Sequence, residues 1–263
     1  MHRMRTRLRL RNGAAFSPGD LFEQGEQGVW FDPSDMTTLF QDGAGTVPVT
    51  AADQPVGRML DKSGRGNHAT QVTAGSRPLL RNSGALWWLE FDGVDDFLAT
   101  GSIAFVSDKI LIGAGIRKTS DAAVGAIMEF SAAIGSNNGT FNMLGPGAAA
   151  AATVQTGMKG TTRKDVSTTA IFAAPITLVV AGQGDIAAGT SRILVNDVQR
   201  MADATGLGTG TFGNFPLYIG MRAGTSLPFA GNLYGMIVRE TLSSNAEVTS
   251  MDRYLGAQSG VAI

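Results

Sequence analysis

The chain contains no cysteine, so it can form neither a disulfide bond nor a thiolate metal site. Histidine is almost as scarce, since only His2 and His68 occur, and a zinc site is not expected. No apolar run is long enough to span a bilayer, and residues 1–11 lack the apolar stretch of a secretory signal peptide. The sequence therefore predicts a protein that is made in the cytoplasm and has no membrane partner.

Charged residues are also few, at 16% of the chain against the usual quarter, whereas the hydrophobic content of 43% is ordinary. The 35 glycines suit many tight turns between short strands. All-β sandwiches often reach a length of 263 residues as one domain. These features favour a β-rich domain with a weakly charged surface. Because such a surface suits packing against neighbouring subunits, we expect a homo-oligomer or a larger assembly.

Positive charge is concentrated at the N-terminus, where five arginines give residues 1–11 a charge of about +5 in a chain of net charge −1. They are Arg3, Arg5, Arg7, Arg9 and Arg11. Alternation is the periodicity of a strand. Residues 1–15 are therefore either a disordered basic tail or an arm that pairs with a neighbour's sheet edge or an acidic partner surface. The arm lacks the aromatic residues that stack on bases, so nucleic acid is not the expected partner.

From residue 46 onward, short segments show the alternating pattern and turn spacing of strands. We predict strands at residues 56–61, 86–91, 97–100, 109–117, 126–131, 140–144, 176–181, 191–195, 217–221 and 233–239. Their number and spacing indicate two packed antiparallel sheets. The side chains expected to be buried are Trp30, Phe91, Phe97, Leu178, Val180, Ile193, Ile219 and Ile237.

Few segments have a helical pattern. Residues 244–255 carry one apolar stripe, and we predict a helix there that Asn245 caps and Gly256 ends. Residues 145–152 are predicted to form a loop, because they consist of glycine, proline and alanine alone.

Residues 16–45 are predicted to form a docking segment of short helices and loops. Ser17 precedes a proline and can cap a first short helix. Ser34 can cap a second one that extends through Phe40.

Three segments rich in glycine and aspartate are the most informative part of the chain. They are G-V-W-F-D-P-S-D (28–35), D-K-S-G-R-G-N-H-A-T-Q (61–71) and W-L-E-F-D-G-V-D-D-F-L (88–98). In the second segment, Gly64 and Gly66 lie among short polar residues, which indicates a tight turn with positive φ. The third begins as a strand and then reaches the turn signal Asp92-Gly93.

Together these segments resemble the signature of the laminin-G-like group of concanavalin A-like jelly rolls, as found in structural proteins of tailed bacteriophages. The segments P-L-Y-I-G (216–220) and F-A-G-N-L-Y-G-M-I-V-R (229–239) resemble the way that domain closes, and the resemblance covers roughly residues 16–260. It implies an all-β, two-sheet antiparallel jelly roll. The expected organisation is a basic N-terminal arm (1–15), the docking segment (16–45) and the jelly roll (46–263), which ends in a short helix.

The resemblance also implies a candidate metal site, because laminin-G-like and legume-lectin domains often bind calcium through oxygen ligands at the sheet rim. The candidate ligands are Asp92, Asp95 and Asp96, with Asp61 and Asn67 from the other turn. The alternative is that these side chains cap turns through backbone hydrogen bonds. His68 matches a structural position of the group and is expected to cap its turn.

Glycan binding is the second property that the resemblance suggests. Sugar sites usually combine an aromatic platform with amide and carboxylate groups. The candidates are Trp87, which neighbours Trp88 on a predicted strand, and the polar loop residues Asn137 and Asn138. Adjacent strand residues face opposite sides, so one tryptophan is expected in the core.

Catalysis is not expected. Retaining glycosidases need two carboxylates about 5 Å apart, and the E-x-D-x-x-E strand motif of endoglucanases with this fold is absent. We therefore predict no catalytic residues, and no carboxylate pair in a cleft with one raised pKa.

The sequence favours a non-enzymatic virion structural protein that docks on other virion proteins through its arm. Its jelly roll is a candidate receptor for host-surface polysaccharide. The alternative is a glycan-processing enzyme or a stand-alone carbohydrate-binding protein.

Deleting residues 1–12 is expected to leave the jelly roll folded but unable to join its assembly. The five like charges repel one another, so the arm gains its contacts from other chains; an extended 11-residue segment reaches up to about 36–40 Å. Incorporation of the truncated protein into particles, measured beside its thermal melt, checks this. Normal incorporation or a lost melting transition would contradict it.

Overall fold

The computed structural model describes residues 16–203 and 205–263. The arginines of the predicted arm lie outside these residues. Within them, the chain forms two antiparallel sheets packed face to face, which confirms the predicted fold class. None of the described helices is both long and apolar enough to cross a membrane.

The first sheet has eight strands in the order β15-β14-β13-β8-β17-β6-β5, with β1 also paired to β17. The strands are β1 (Gly28–Phe31), β5 (Leu79–Ser83), β6 (Leu86–Asp92), β8 (Lys109–Lys118), β13 (Ile176–Asp185), β14 (Thr190–Val195), β15 (Val198–Asp203) and β17 (Ala230–Arg239).

The second sheet has nine strands in the order β12-β11-β10-β9-β16-β7-β4-β3-β2. The strands are β2 (Leu39–Phe40), β3 (Arg58–Met59), β4 (Ala69–Thr70), β7 (Leu98–Ala104), β9 (Ala126–Phe130), β10 (Thr140–Leu144), β11 (Gln155–Lys159), β12 (Arg163–Ser167) and β16 (Asn214–Ile219).

The main core lies between the two sheets and contains most of the side chains that were predicted to be buried. Phe91, Leu178, Val180, Ile193 and Ile219 all belong to it, and each large apolar side chain contributes about 1.5–3 kcal/mol on burial.

Three of the predicted core side chains lie elsewhere. Ile237 is buried, but on the outer face of the eight-stranded sheet. Trp30 and Phe97 are only half-buried. Trp30 packs edge-on against Tyr254 with the Lys62 ammonium 4.6 Å from its ring, so it lies outside the space between the sheets.

A second, smaller core covers the outer face of the eight-stranded sheet. Helix α1 (Asn245–Ser259) inserts its apolar stripe there, against side chains of β8, β13 and β17. Gly113 and Gly115 permit this close approach, because a Cβ at either position would crowd Met251 or the backbone of Leu255.

The ends of this helix differ from the prediction. Ser244, not Asn245, is the N-cap, since its side chain pairs with Glu247 in a capping box. The helix passes through Gly256 and ends at Gly260, which adopts the left-handed conformation at φ 74°.

The docking segment contains more strand than was predicted. Ser17 caps the first short helix, Pro18–Phe22, as expected. The second, Met36–Thr38, is capped by Asp35 instead of Ser34, because the Asp35 carboxylate accepts from Thr37 N. Ser34 donates to Asp32.

The strands that the sequence did not predict are short or lie toward a sheet edge. They are β1, β2, β4, β5, β11, β12 and β15. Several are polar or contain glycine, so burial of one face is not visible in their composition. The predicted strand at residues 56–61 shortens to Arg58–Met59, whereas the loop at 145–152 is confirmed.

The glycine turn at residues 61–71 fastens the N-terminal strand to the sandwich. Asp61 accepts hydrogen bonds from Trp30 N, Ser63 and Asn67 N, and the Asn67 amide donates to Gly28 O. His68 Nδ1 accepts from Asp61 N at 3.0 Å, which confirms its turn-capping position.

Asp252 is a buried carboxyl group in the middle of α1. The side chain has no exposed surface, and neither carboxyl oxygen makes a hydrogen bond of normal geometry within the described residues. Loss of hydration, reinforced by the negative charge of Asp197, raises its pKa to about 7.

Replacing Asp252 with asparagine is expected to stabilise the protein above pH 7, by on the order of 2–4 kcal/mol. The folded-state pKa lies above the unfolded value, so the folded protein loses stability as the pH rises from about 4 to about 7. Asparagine cannot ionise, and the difference from wild type should vanish near pH 4. Urea unfolding between about pH 4 and about pH 7 measures the sign of the difference in the free energy of unfolding. Glu23→Gln, which removes an exposed carboxyl group, is the control. A pH-independent difference would contradict the assignment.

Candidate functional site

The turn between β6 and β7 carries the predicted acidic residues and is held by its own hydrogen bonds. Asp92 Oδ1 accepts from Val94 N and Asp95 N at 2.8 and 3.3 Å, and Asp96 Oδ2 accepts from Asp92 N at 3.0 Å. The turn-capping function proposed for Asp92 is therefore present. We call these three aspartates the acidic turn.

The acidic turn concentrates negative charge. One oxygen from each of Asp92, Asp95 and Asp96 lies within 4.8 Å of the others. None of the three forms an ion pair within residues 16–203 and 205–263. Burial, together with the charges of Asp92 and Asp95, raises the pKa of Asp96 to about 6.

This donor set fits calcium, which prefers carboxylate oxygens and tolerates irregular geometry. Asp92, Asp95 and Asp96 would supply three ligands, and the bound charge would offset their mutual repulsion. Asp61 and Asn67 do not join them, because both Asp61 oxygens are occupied in the glycine turn.

The acidic turn departs from one sequence expectation. We predicted no carboxylate pair at hydrolytic separation with a raised pKa, yet Asp96 meets both conditions beside its two neighbours. The difference lies in the surroundings. Asp92 and Asp95 are exposed to water and are not enclosed in a cleft.

The predicted sugar contacts are dispersed. Trp87 is half-buried and packs against the main core, whereas Trp88 packs on Tyr234 on the opposite side of β6. Asn137 donates to Ser131 Oγ at 2.7 Å within the β9–β10 loop, and Asn138 is exposed. Among the described residues, no hydrogen bond joins Trp87 to either asparagine.

A polar row that the sequence analysis missed crosses the outer face of the nine-stranded sheet. Cross-strand pairing aligns one residue of every strand, and paired residues share a face. From β2 to β12 the row is Phe40, Arg58, Thr70, Ala99, Tyr218, Glu129, Asn142, Gly157 and Asp165.

The centre of this row combines an aromatic ring, a carboxylate and an amide. Tyr218 is half-exposed and pairs across the strands with Glu129, which in turn pairs with Asn142. Arg222 Nε donates to both Glu129 oxygens at 3.0 and 2.8 Å. Burial raises the pKa of Glu129, and the Arg222 charge opposes that shift.

The two sheets differ in what covers their outer faces. Helix α1 and the segment at Leu21–Phe22 cover the eight-stranded sheet. On the nine-stranded sheet, Arg58, Thr70 and Tyr218 are half-exposed and Asp165 is exposed. These residues of the polar row therefore border solvent, whereas Glu129 and Asn142 between them are fully buried. We call the row the open face.

One sequence signal could have identified the open face. Glu129 is the only charged residue in the strand A-I-M-E-F, and Asn142 is the only amide in T-F-N-M-L. A polar residue in the middle of an apolar strand costs free energy unless it is paired or functional.

Comparisons with known proteins support the fold. No protein-family model matches the chain, and no curated protein matches it. Among solved structures, domain 4 of AbnA, a GH43 extracellular arabinanase from Geobacillus stearothermophilus, in complex with arabinotriose, matches with TM-score 0.63 at 10% identity, covering 86% of this chain and 98% of that one.

Two toxin domains match over part of their length. The binding domain of Paraclostridial Mosquitocidal Protein 1 has TM-score 0.58 at 10% identity, with coverage of 77% of this chain and 51% of that chain. The botulinum neurotoxin serotype G binding domain has TM-score 0.57 at 11% identity, with 76% and 49%. This chain thus spans about half of each. At such identities the likeness shows the fold alone, a concanavalin-like jelly roll.

Calcium is expected to stabilise the protein through the acidic turn at neutral pH. At about ten times a Kd of 10⁻⁴–10⁻³ M, the gain would be about 1.4 kcal/mol. It should weaken below pH 6 as Asp96 takes up a proton, and it should be lost in Asp96→Asn. Thermal melts with calcium or a chelator measure the effect, with Asp42→Asn, in another turn, as the matched control. An equal calcium response in Asp96→Asn would exclude this site.

Proposed function

We propose that this chain is a non-enzymatic structural protein of a tailed-phage virion that binds host-surface glycan through its open face. The observation that carries the glycan part is the grouping of the half-exposed Tyr218 with the buried Glu129 and Asn142 on the sheet face that lies opposite to α1. A half-exposed aromatic ring offers an apolar platform for a sugar ring. The neighbouring Arg222 guanidinium offers donors for hydroxyl groups, and the Asn142 amide has both donor and acceptor atoms.

The surroundings of Glu129 favour binding over hydrolysis. Its side chain has no exposed surface, and Arg222 occupies both of its oxygens. A general acid must reach the glycosidic oxygen within hydrogen-bonding distance. A buried carboxylate held by a guanidinium is better suited to orienting that guanidinium.

The virion part of the proposal is supported by the sequence. The three glycine- and aspartate-rich segments resemble those of phage structural proteins, and the arginine-rich arm suits docking on a particle. The expected partners are other virion proteins and further copies of this chain. The jelly-roll fold of this chain is shared with the two toxin binding domains, which agrees with a binding module.

A second candidate, glycan hydrolysis, is favoured by one observation. Asp96 has a raised pKa and lies beside two other carboxyl groups, which is the arrangement of a general acid and a nucleophile. The exposure of Asp92 and Asp95 opposes this assignment, because hydrolytic pairs act in a water-restricted cleft.

The full-length protein is expected to bind immobilised surface polysaccharide from host bacteria without releasing reducing ends. Binding is measured by surface plasmon resonance, and release is measured by a reducing-sugar assay over a long incubation. Asp96→Asn, which conserves shape but cannot donate an acidic proton, should bind as wild type does.

Three outcomes would decide against this function or one part of it. Reducing ends that are released by wild type and lost in Asp96→Asn would establish the hydrolase. Absence of binding to every bacterial polysaccharide tested would remove the glycan function. A density map of the assembled particle in which this chain is absent would contradict the virion part of the proposal.

A further inference from the structure

Asn142 is the least satisfied polar group of the open face. Its side chain is fully buried, and neither Nδ2 nor Oδ1 makes a hydrogen bond of normal geometry within the described residues. It lies close enough to Glu129 to favour the charged form of that carboxyl. A buried amide without partners costs free energy, so its retention in an apolar strand needs a reason other than stability. One hydroxyl group could satisfy both atoms, since it donates and accepts.

Gly157 lies beneath a cluster of polar side chains beside this amide. A Cβ on Gly157 would lie within 3.4 Å of Asn142 Oδ1, Asp165 Oδ1 and Arg163 Nη2. The missing side chain therefore leaves room over β11 that polar groups of β10 and β12 fill. Arg163 is partly exposed and Asp165 is exposed, so a ligand would reach the buried amide by displacing these two side chains.

Two arginines lie near the row, and each is held through its own Nε alone. Arg222 donates from Nε to Glu129, and Arg163 donates from Nε to both Asp165 oxygens at 2.9 and 3.1 Å. Both side chains are partly exposed, at 27% for Arg163 and 28% for Arg222. The terminal guanidinium nitrogens are thus oriented donors that remain available to a ligand.

The charges of this part of the face cancel locally. Arg222 is paired with Glu129, and Arg163 with Asp165. An anionic ligand would gain little net attraction and would meet two carboxylates. A neutral polyol makes use of the same donors and acceptors without that repulsion.

We infer that the open face binds a neutral oligosaccharide that lies across five strands from Tyr218 to Asp165, with one hydroxyl group on the Asn142 amide. This inference rests on the proposed glycan-binding function. Four inter-strand spacings separate Tyr218 on β16 from Asp165 on β12, a span of about 19 Å. That length suits a chain of several sugar rings better than a single ring.

The test compares binding of the full-length protein to an array of neutral and acidic bacterial oligosaccharides. Two variants address the face. Asn142→Leu, close in shape to asparagine, should keep or raise the melting temperature because it removes an unsatisfied buried amide. It should nevertheless weaken binding at least tenfold, as should Tyr218→Ala. Arg253→Ala, which removes an exposed arginine on α1, should bind as wild type does.

The salt dependence of binding distinguishes a neutral ligand from an anionic one. Affinity for a neutral glycan should change little between about 0.01 and about 1 M salt, whereas an anionic ligand would lose affinity as the screening length falls from about 30 to about 3 Å.

The outcomes distinguish the two proposals. If no glycan binds wild type, the proposed function fails and this inference fails with it. If glycans bind but Asn142→Leu and Tyr218→Ala retain full affinity, or if acidic glycans bind with steep salt dependence, this inference alone is overturned.

Discussion

The strict alternation of side chains in the nine-stranded sheet is the constraint on which the rest of the structure depends. Met128 and Phe130 enter the core between the sheets, so Glu129 between them must face outward. The same holds for Asn142 between Phe141 and Met143. A slip of one residue would bury the polar row and expose the core. The strand register that forms the core therefore also aligns the residues of the open face.

Within the described residues, helix α1 covers the outer face of one sheet and leaves the other sheet with a polar outer face. The glycine positions of β8 let α1 lie close against the eight-stranded sheet, and that contact adds a second apolar core. In residues 16–203 and 205–263, no helix packs on the outer face of the opposite sheet, which carries polar groups instead. Keeping Glu129 buried there requires Arg222, because a buried carboxylate that loses its partner costs about 3–5 kcal/mol. The main core draws on both sheets, the second core belongs to the eight-stranded sheet, and the polar row lies on the nine-stranded sheet.

The sequence was sufficient for most of the fold but for only part of the candidate sites. Long alternating segments such as 109–117 and 176–181 became strands, because burial of one face dominates their local preferences. The acidic turn was predictable because its three aspartates lie within five residues of one another. Tyr218, Glu129 and Asn142 were missed, since only the order β16-β9-β10 makes them neighbours. A sequence motif can predict a site whose residues lie within one turn. A site whose residues lie on different strands can be predicted only when the strand pairing is known.

The acidic turn and the open face are connected through one short piece of backbone. The turn leads from β6 in one sheet to β7 in the other, so it fixes how the two sheets meet. Phe91 and the Asp96 carbonyl oxygen pack so closely on Gly220 that no side chain fits there. Two residues later, Arg222 reaches Glu129 on the open face. The close approach at Gly220 therefore places the acidic turn in direct contact with the segment whose Arg222 side chain pairs with Glu129. Both features depend on the way in which β6, β7 and the segment after β16 meet.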